Sequence, residues 1–329
     1  MENNSLSICI PTYNRAQLLR ENVTELVCAI RGAHVRIYIA DNASSDNTRE
    51  VVAELQDSYP YIHYHRHEEN IFDANFPFVL RQSSSDYAWL LGDKHRISAP
   101  WIQEILTLLT SSKPDALVVN VDGPRVRDVP TKVYTDPNDL LAELGWHMTL
   151  VGSLIYSRAL IERIDFERFS GTNFMHTAGL FEGIAQHDSR VLWLNEPVIL
   201  YSRSPARAVW RTDAFKICLE IWGNSILSLP PSYRIDAKLK CIKSHGVKSG
   251  VFTLLGFLAL RRDGIYGPSV FMRYRRYFCF FSNVSLLALF FVSLVPRSCI
   301  RIATNAIWHR FRRVRRFVTS YNRKLGMSS

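Results

Sequence analysis

Three short polar segments carry the residue types that grip a phosphorylated nucleotide. In Pro11-Thr12-Tyr13-Asn14-Arg15 the proline ends a ladder, Tyr13 offers a ring on which a flat base can stack, and Arg15 offers a forked donor to a phosphate. The alternative is an ordinary turn in which Asn14 caps the next helix. In Asp41-Asn42-Ala43-Ser44-Ser45-Asp46-Asn47-Thr48 the leading aspartate can accept a hydrogen bond from a base or ribose, while Ser45 or Asp46 serves as an N-cap. In Gly92-Asp93-Lys94-His95-Arg96 a carboxylate and an imidazole stand two positions apart. If that segment is extended, both side chains project to one side and can share a divalent cation. Mn2+ accepts such a pair more readily than Mg2+. The alternative is a surface turn with solvated charges.

These segments need a frame that brings them together. Leu6–Ile10 reads as a strand, Ala16–Ile30 as a helix with apolar residues at Leu19, Val23, Leu26, Val27 and Ile30, and Val35–Ala40 as a second strand. A helix through Val51, Val52 and Leu55, a strand at Tyr61–His65, a short helix at Asn75–Ser83 and a strand at Tyr87–Leu91 follow. Pro100 opens another helix before a strand at Ala116–Val121. Such alternation predicts an α/β fold with a mainly parallel sheet flanked by helices. Ligands bind beyond the carboxyl ends of such strands, and all three polar segments sit there. Further on, Asp136-Pro137 reads as a cap with proline at the first helical position. Leu150–Tyr156 and Val191–Leu200 are strand-like, and Thr177–Ala185 is helix-like.

The segments "SICIPTYNR", "IADNASSDNT", "EENIFDANF" and "YAWLLGD", in that order, resemble the family 2 glycosyltransferases with a GT-A-type nucleotide-binding fold. The likeness covers roughly residues 5–120 and continues weakly through "LVGSLIYS" and "FMHTAGLFEGIAQ". That second stretch is similar to bacterial enzymes that add branch sugars to O-antigen or exopolysaccharide units, abequosyltransferase-like proteins among them. The resemblance implies an inverting transfer from a nucleotide-diphosphate sugar to a lipid-linked or saccharide acceptor. It implies that Pro11, Tyr13, Arg15, Asp41, Asn75 and Asp93 hold the nucleotide. It also implies a divalent metal, Mn2+ or Mg2+, on Asp93 and on the position held here by His95. Where the family carries Gly-Asp-Asp-Asp, this chain has Gly92-Asp93-Lys94-His95. Three outcomes stay open: His95 replaces the lost acid, Lys94 supplies the positive charge without metal, or catalysis is weakened. For the base that deprotonates the acceptor, the resemblance points first to Glu182, then to His176 and Asp188.

Composition limits the rest. The chain has 329 residues, 47% hydrophobic and 21% charged, as in ordinary globular proteins. Its six cysteines, Cys9, Cys28, Cys218, Cys241, Cys279 and Cys299, form no CxxC pair, which argues against a zinc module and suits a reducing cytosol. The apolar stretch Leu6–Ile10 is too short for a secretory signal core, so a cytoplasmic start is expected. The net charge of +10 comes from the tail: Gly264–Ser329 holds twelve Lys and Arg and no acid. Within it, Phe278–Val295 is uncharged, at the lower limit for a membrane span. Basic residues on both flanks favour a segment that dips into or lies in the leaflet. Beyond Pro296, residues Ile300, Ile307, Phe311, Val314 and Val318 lie at helical spacing among arginines, with Trp308 suited to an interface. The reading is a tail on an anionic membrane at the cytoplasmic face, with a docking helix as the alternative and no nucleic-acid partner. The expected organisation is a GT-A-type domain over 1–204 (halves 1–122 and 123–204), a helical extension over 205–263 and a membrane-associating tail over 264–329. A catalytically degenerate membrane adaptor is the second reading. A sugar-phosphate nucleotidyltransferase would want a glycine-rich loop near the N-terminus, which is missing.

Overall fold

The computed structural model describes residues 5–122, 125–185, 187–201 and 212–302. Its strands are β1 (Leu6–Thr12), β2 (Arg36–Asp41), β3 (Ile62–Arg66), β4 (Tyr87–Leu90), β5 (His95–Ile97), β6 (Ala116–Val121), β7 (Lys132–Tyr134), β8 (Leu154–Ser157) and β9 (Val191–Tyr201). The helices of the first part are α1 (Ala16–Ala29), α2 (Thr48–Ser58), α3 (Asn75–Gln82), α4 (Trp101–Ser112), α5 (Pro137–Met148), α6 (Arg158–Arg163), α7 (Met175–Ile184), α8 (Trp222–Leu227) and α9 (Ile235–Lys248). Then come α10 (Leu254–Arg262), α11 (Pro268–Tyr274), α12 (Phe278–Phe281) and α13 (Leu286–Leu294). The chain divides into two compact units, up to Ser249 and from Gly250 onward.

In the first unit one sheet runs β3-β2-β1-β4-β8-β6-β9-β5, with β7 on β9. Strands β1 to β4 are mutually parallel, and β8 enters antiparallel to both β4 and β6. The expected mainly parallel, helix-flanked sheet is therefore present. β1, β4 and β6 are buried almost throughout, as strands covered on both faces must be. α1 lays Leu19, Val23, Leu26 and Val27 on the sheet, the face its apolar spacing foretold. Each such side chain stabilises the fold by roughly 1.5–3 kcal/mol.

The sheet cannot be flat. His95 N–H donates to Gly92 O at 2.9 Å, closing a tight turn two residues past β4. That holds the start of β5 within about 7 Å of Gly92. Yet β5, paired with β9 at the end of the sheet, is four strand positions from β4, which in a flat sheet is about 19 Å away. The sheet therefore curls, and the turn at 92–95 is where it closes.

Some boundaries differ from expectation. Residues 150–153 form turns, not the start of β8, because Gly152 takes φ +117° and its carbonyl accepts from Trp89 Nε1 at 2.7 Å. The short strands β5 and β7 were missed, since three residues show no period. The expected boundary at 204 lies outside the described residues. α8 and α9 belong to the first unit, where Phe174, Trp222 and His245 pack with ring centroids 4.9 to 6.4 Å apart.

The second unit is a small helical assembly around Phe257, Tyr266, Phe278 and Phe252. The apolar run 278–295 is not one helix. Ser282 leaves the helical conformation, its Oγ donates to Phe252 O at 2.6 Å, and Ser285 caps α13. Among the described residues no helix is long and apolar enough to cross a membrane. The expected amphipathic helix beyond Ile302 lies outside the described residues.

Candidate functional site

The three polar loops meet at the carboxyl ends of β1, β2 and β4, and the β1 loop is bonded to both of the others. Towards β4, Thr12 Oγ1 donates to Asp93 Oδ2 at 3.2 Å and Arg15 Nη1 to Asp93 Oδ1 at 2.7 Å. From α1, Asn22 Nδ2 donates to the Asp93 carbonyl at 2.6 Å. Towards β2, Asn14 adopts φ +51°. Its N–H donates to Ser44 Oγ at 2.9 Å, and its Oδ1 accepts from Ser45 N–H at 2.7 Å. Asn14 thus clasps the neighbouring loop rather than capping α1. The cap is Asp46, whose Oδ2 accepts from Ala16 N–H at 3.0 Å and whose Oδ1 accepts from Thr48 N–H at 3.1 Å. One carboxylate thereby serves the first turns of α1 and α2. Burial alone would raise its pKa, but these bonds outweigh that and hold it below the ordinary value.

The floor beneath β2 is equally fixed. Asp41 is fully buried, with Oδ1 accepting from Ser44 N–H at 2.9 Å and Oδ2 from Tyr64 Oη at 2.7 Å. Asn75 Nδ2 donates to Ala40 O at 2.9 Å, and its Oδ1 lies 3.0 Å from His67 Nε2. Asn42 ties the same floor to the 71–72 turn, donating to Phe72 O at 3.0 Å and accepting from Ile71 N–H at 2.8 Å. Beside it His67, Glu68, Glu69 and Ile71 line a cavity of about 540 Å³. Asp41 and Asn75 therefore shape the site through bonds already made. Tyr13, 46% exposed, leaves its ring open for stacking, and Pro11 is half-buried.

The turn after β4 departs from the extended geometry expected of Asp93 and His95. Asp93 is 6% exposed; burial pushes its carboxyl up, and the Arg15 guanidinium pulls it back. Lys94 is half-buried, its pKa lowered by burial and by Arg15. His95 is 2% exposed and packs against backbone: a Cβ on Gly92 would fall 2.8 Å from its Nδ1, and one on Gly152 3.2 Å. Burial, then Lys94, Arg125 and Arg15, lower its pKa to about 3, so it is neutral at physiological pH. This set does not fit a divalent cation. The one carboxylate has an oxygen ion-paired to Arg15, the imidazole is buried against glycine backbone, and the neighbours are cations. Among the described residues no group of three or more His, Cys, Asp or Glu could hold a metal ion. The expected Asp93–His95 pair is thus not arranged as a ready metal site among the described residues.

The expected bases come from later elements, and His176 reaches α3 through Phe76, the neighbour of Asn75. Glu182 on α7 pairs with Arg168 at 2.5 Å, and Arg168 Nη2 also donates to Ser228 O at 2.7 Å. Through Oε1, Glu182 thus ties α7 to the turn at 167–169, and Arg168 carries that tie to the end of α8. His176 is 1% exposed, edge-on to Phe76, its pKa lowered to about 4 by burial. Asp188 is exposed in the irregular segment before β9. Sequence reasoning missed Thr12, Asn22 and Asp46 as holders of the loops. Asn22 carried a signal: it is a polar residue on the apolar face of α1, three positions from Leu19.

A curled, mainly parallel sheet with such a loop set at its strand ends defines the GT-A class of nucleotide-binding folds. The family model for glycosyl transferase family 2 matches residues 7–176, and the chain belongs to that family. A curated relative, abequosyltransferase RfbV of Salmonella typhimurium, is 24% identical over 218 residues, which are 59% of this chain and 66% of the relative. The chain thus spans just under two thirds of that relative's length. Among solved structures it is similar to S. aureus TarS in complex with UDP-GlcNAc (TM-score 0.57, 15% identity, 79% of this chain and 78% of that one). It is also similar to the mannosyltransferase PcManGT from Pyrobaculum calidifontis in complex with GDP-Man and Mn2+ (TM-score 0.53, 15% identity, 95% and 83%).

Proposed function

We propose that this protein transfers a sugar from a nucleotide-diphosphate donor, with inversion, to a lipid-linked or saccharide acceptor in cell-surface polysaccharide synthesis. The observation that carries the reading is the β1 loop bonded to both neighbouring loops, so that Tyr13, Arg15 and Lys94 stand around one strand-end site. Tyr13 stacks the base, the Asp41–Asn75 floor sets the depth at which base and ribose rest, and Arg15 meets the diphosphate. The abequosyltransferase relative and the nucleotide-sugar complexes of the neighbours support a nucleotide-sugar donor.

The second unit suits work at the cytoplasmic face of the plasma membrane. Leu255, Leu287, Phe291 and Ile302 are 77%, 67%, 58% and 69% exposed, and Arg273, Arg276, Arg297 and Arg301 lie in the same unit, also exposed. Exposed apolar side chains and arginines in one unit suit an anionic leaflet, the surface on which a lipid-linked acceptor would be met.

The test is turnover with a panel of nucleotide sugars and lipid-linked or saccharide acceptors. Asp93→Ala removes the group that Arg15, Thr12 and Asn22 converge on, and we expect it to abolish transfer. Full activity in that variant overturns the site assignment. Nucleotide binding without transfer to any acceptor favours the adaptor reading instead, which the Lys94-His95 departure motivates.

A further inference from the structure

We propose that this site holds its nucleoside diphosphate with protein cations alone, Lys94 and Arg15 doing the neutralising that a divalent ion does in an acidic site. The inference rests on the nucleotide-binding reading above.

The argument is one of charge and access. A diphosphate needs positive charge at the strand ends, and the turn after β4 supplies it directly. Arg15 and Lys94 are cations that act on each other, and Asp93 is an acid that acts on Lys94 and pairs with Arg15. The Arg15–Asp93 pair accounts for one cation and the one anion. Lys94 is left in surplus by count: two cations stand with one acid, and that acid's close ion pair is with Arg15, although burial makes the Lys94 charge costly. A half-buried ammonium beside a guanidinium is a site for an anion. The guanidinium gives planar, forked donation and the ammonium a compact charge, the two modes by which proteins hold phosphates.

A metal is disfavoured by the same geometry. A divalent ion on Asp93 must displace Arg15 at 2.7 Å, then sit beside Lys94 and within the influence of Arg125. It would gain no imidazole, because the His95 ring is wedged against Gly92 and Gly152 and is reached only by opening the turn that closes the sheet.

Calorimetric titration of the full-length protein with UDP, GDP, CDP and dTDP, in EDTA and then in Mn2+, tests this. We expect the best of the four to bind with affinities that agree within about twofold in the two buffers. Lys94→Ala should weaken that binding about tenfold, with thermal stability unchanged, and Lys94→Arg should retain it. Lys94→Asp, which replaces the surplus cation by an acid, should lose binding in EDTA. Binding by the native protein that vanishes in EDTA and returns with Mn2+ overturns the inference while keeping the nucleotide reading. No binding in either buffer overturns that reading itself. An unchanged affinity in a folded Lys94→Ala variant overturns the role given to the lysine.

Discussion

Asp46 shows how much a single side chain can do at this site. Its two oxygens hold the first turns of two helices, and the loops that precede those helices are two of the polar loops of the candidate site. Asp46→Ala should destabilise the first unit by about 1 kcal/mol, the middle of the range for a lost cap. Its lowered pKa fixes the sign of the pH effect. The stabilisation is fully present above the unfolded-state value and is lost as pH falls through the folded one. The gap in urea midpoint between native protein and Asp46→Ala should therefore be full at neutral pH and close below about pH 4. A gap that persists in acid would mean the side chain acts by something other than its charge. Sequence reasoning had offered Asp46 as a cap for its own helix. That it also caps α1, thirty residues back, depends on two strand ends lying side by side.

At the scale of elements, the crossing of α5 and α9 carries the sharpest expectation. Gly145 on α5 lets α9 approach so closely that an added Cβ would fall 2.7 Å from the Sγ of Cys241. Gly145→Ala should cost about 1–3 kcal/mol by overpacking. Cys241→Ala in the same chain should recover part of that, giving a measurable coupling in urea melts. Strictly additive losses would show that the helices adjust elsewhere. The elements themselves were largely legible. β1, α1, β2, α2, β4 and β6 announce themselves through apolar period and flanking polar turns, and Asp136-Pro137 marks the start of α5, where Asp136 Oδ1 accepts from Asn138 N–H at 2.8 Å. The site was legible as a set of loops but not as a set of roles. The identity of Asp41, Asn75 and Glu182 shows that each is polar. Only tertiary packing shows that Tyr64, His67 and Arg168 have already claimed them. His95 misled for the same reason. Spacing of two means a shared side only in extended chain, and the closed turn at 92–95 breaks that rule.

For the whole molecule, the two units divide the work by chemistry: one offers polar strand ends, the other apolar side chains with arginines. Leu287→Ser with Phe291→Ser should lower co-sedimentation with anionic vesicles about tenfold, since both side chains are mostly exposed and their loss leaves the small aromatic core in place. Raised salt should weaken binding of the native protein to those vesicles, and neutral vesicles should capture less of it. Nucleotide affinity of the same variant should not change. Equal binding of native and variant protein to vesicles would remove the lipid-facing role from α13.

The turn at 92–95 has one more consequence. It is a seam as well as a ligand loop, because the hydrogen bond that closes it also draws β5 back to complete the curl. Tailoring such a protein to a new donor is therefore unlike exchanging a surface loop. Side chains at 93 and 94 can be swapped within the existing stitch, but lengthening the stitch by a residue slackens the hem of the sheet, and ligand preference and fold integrity then change together.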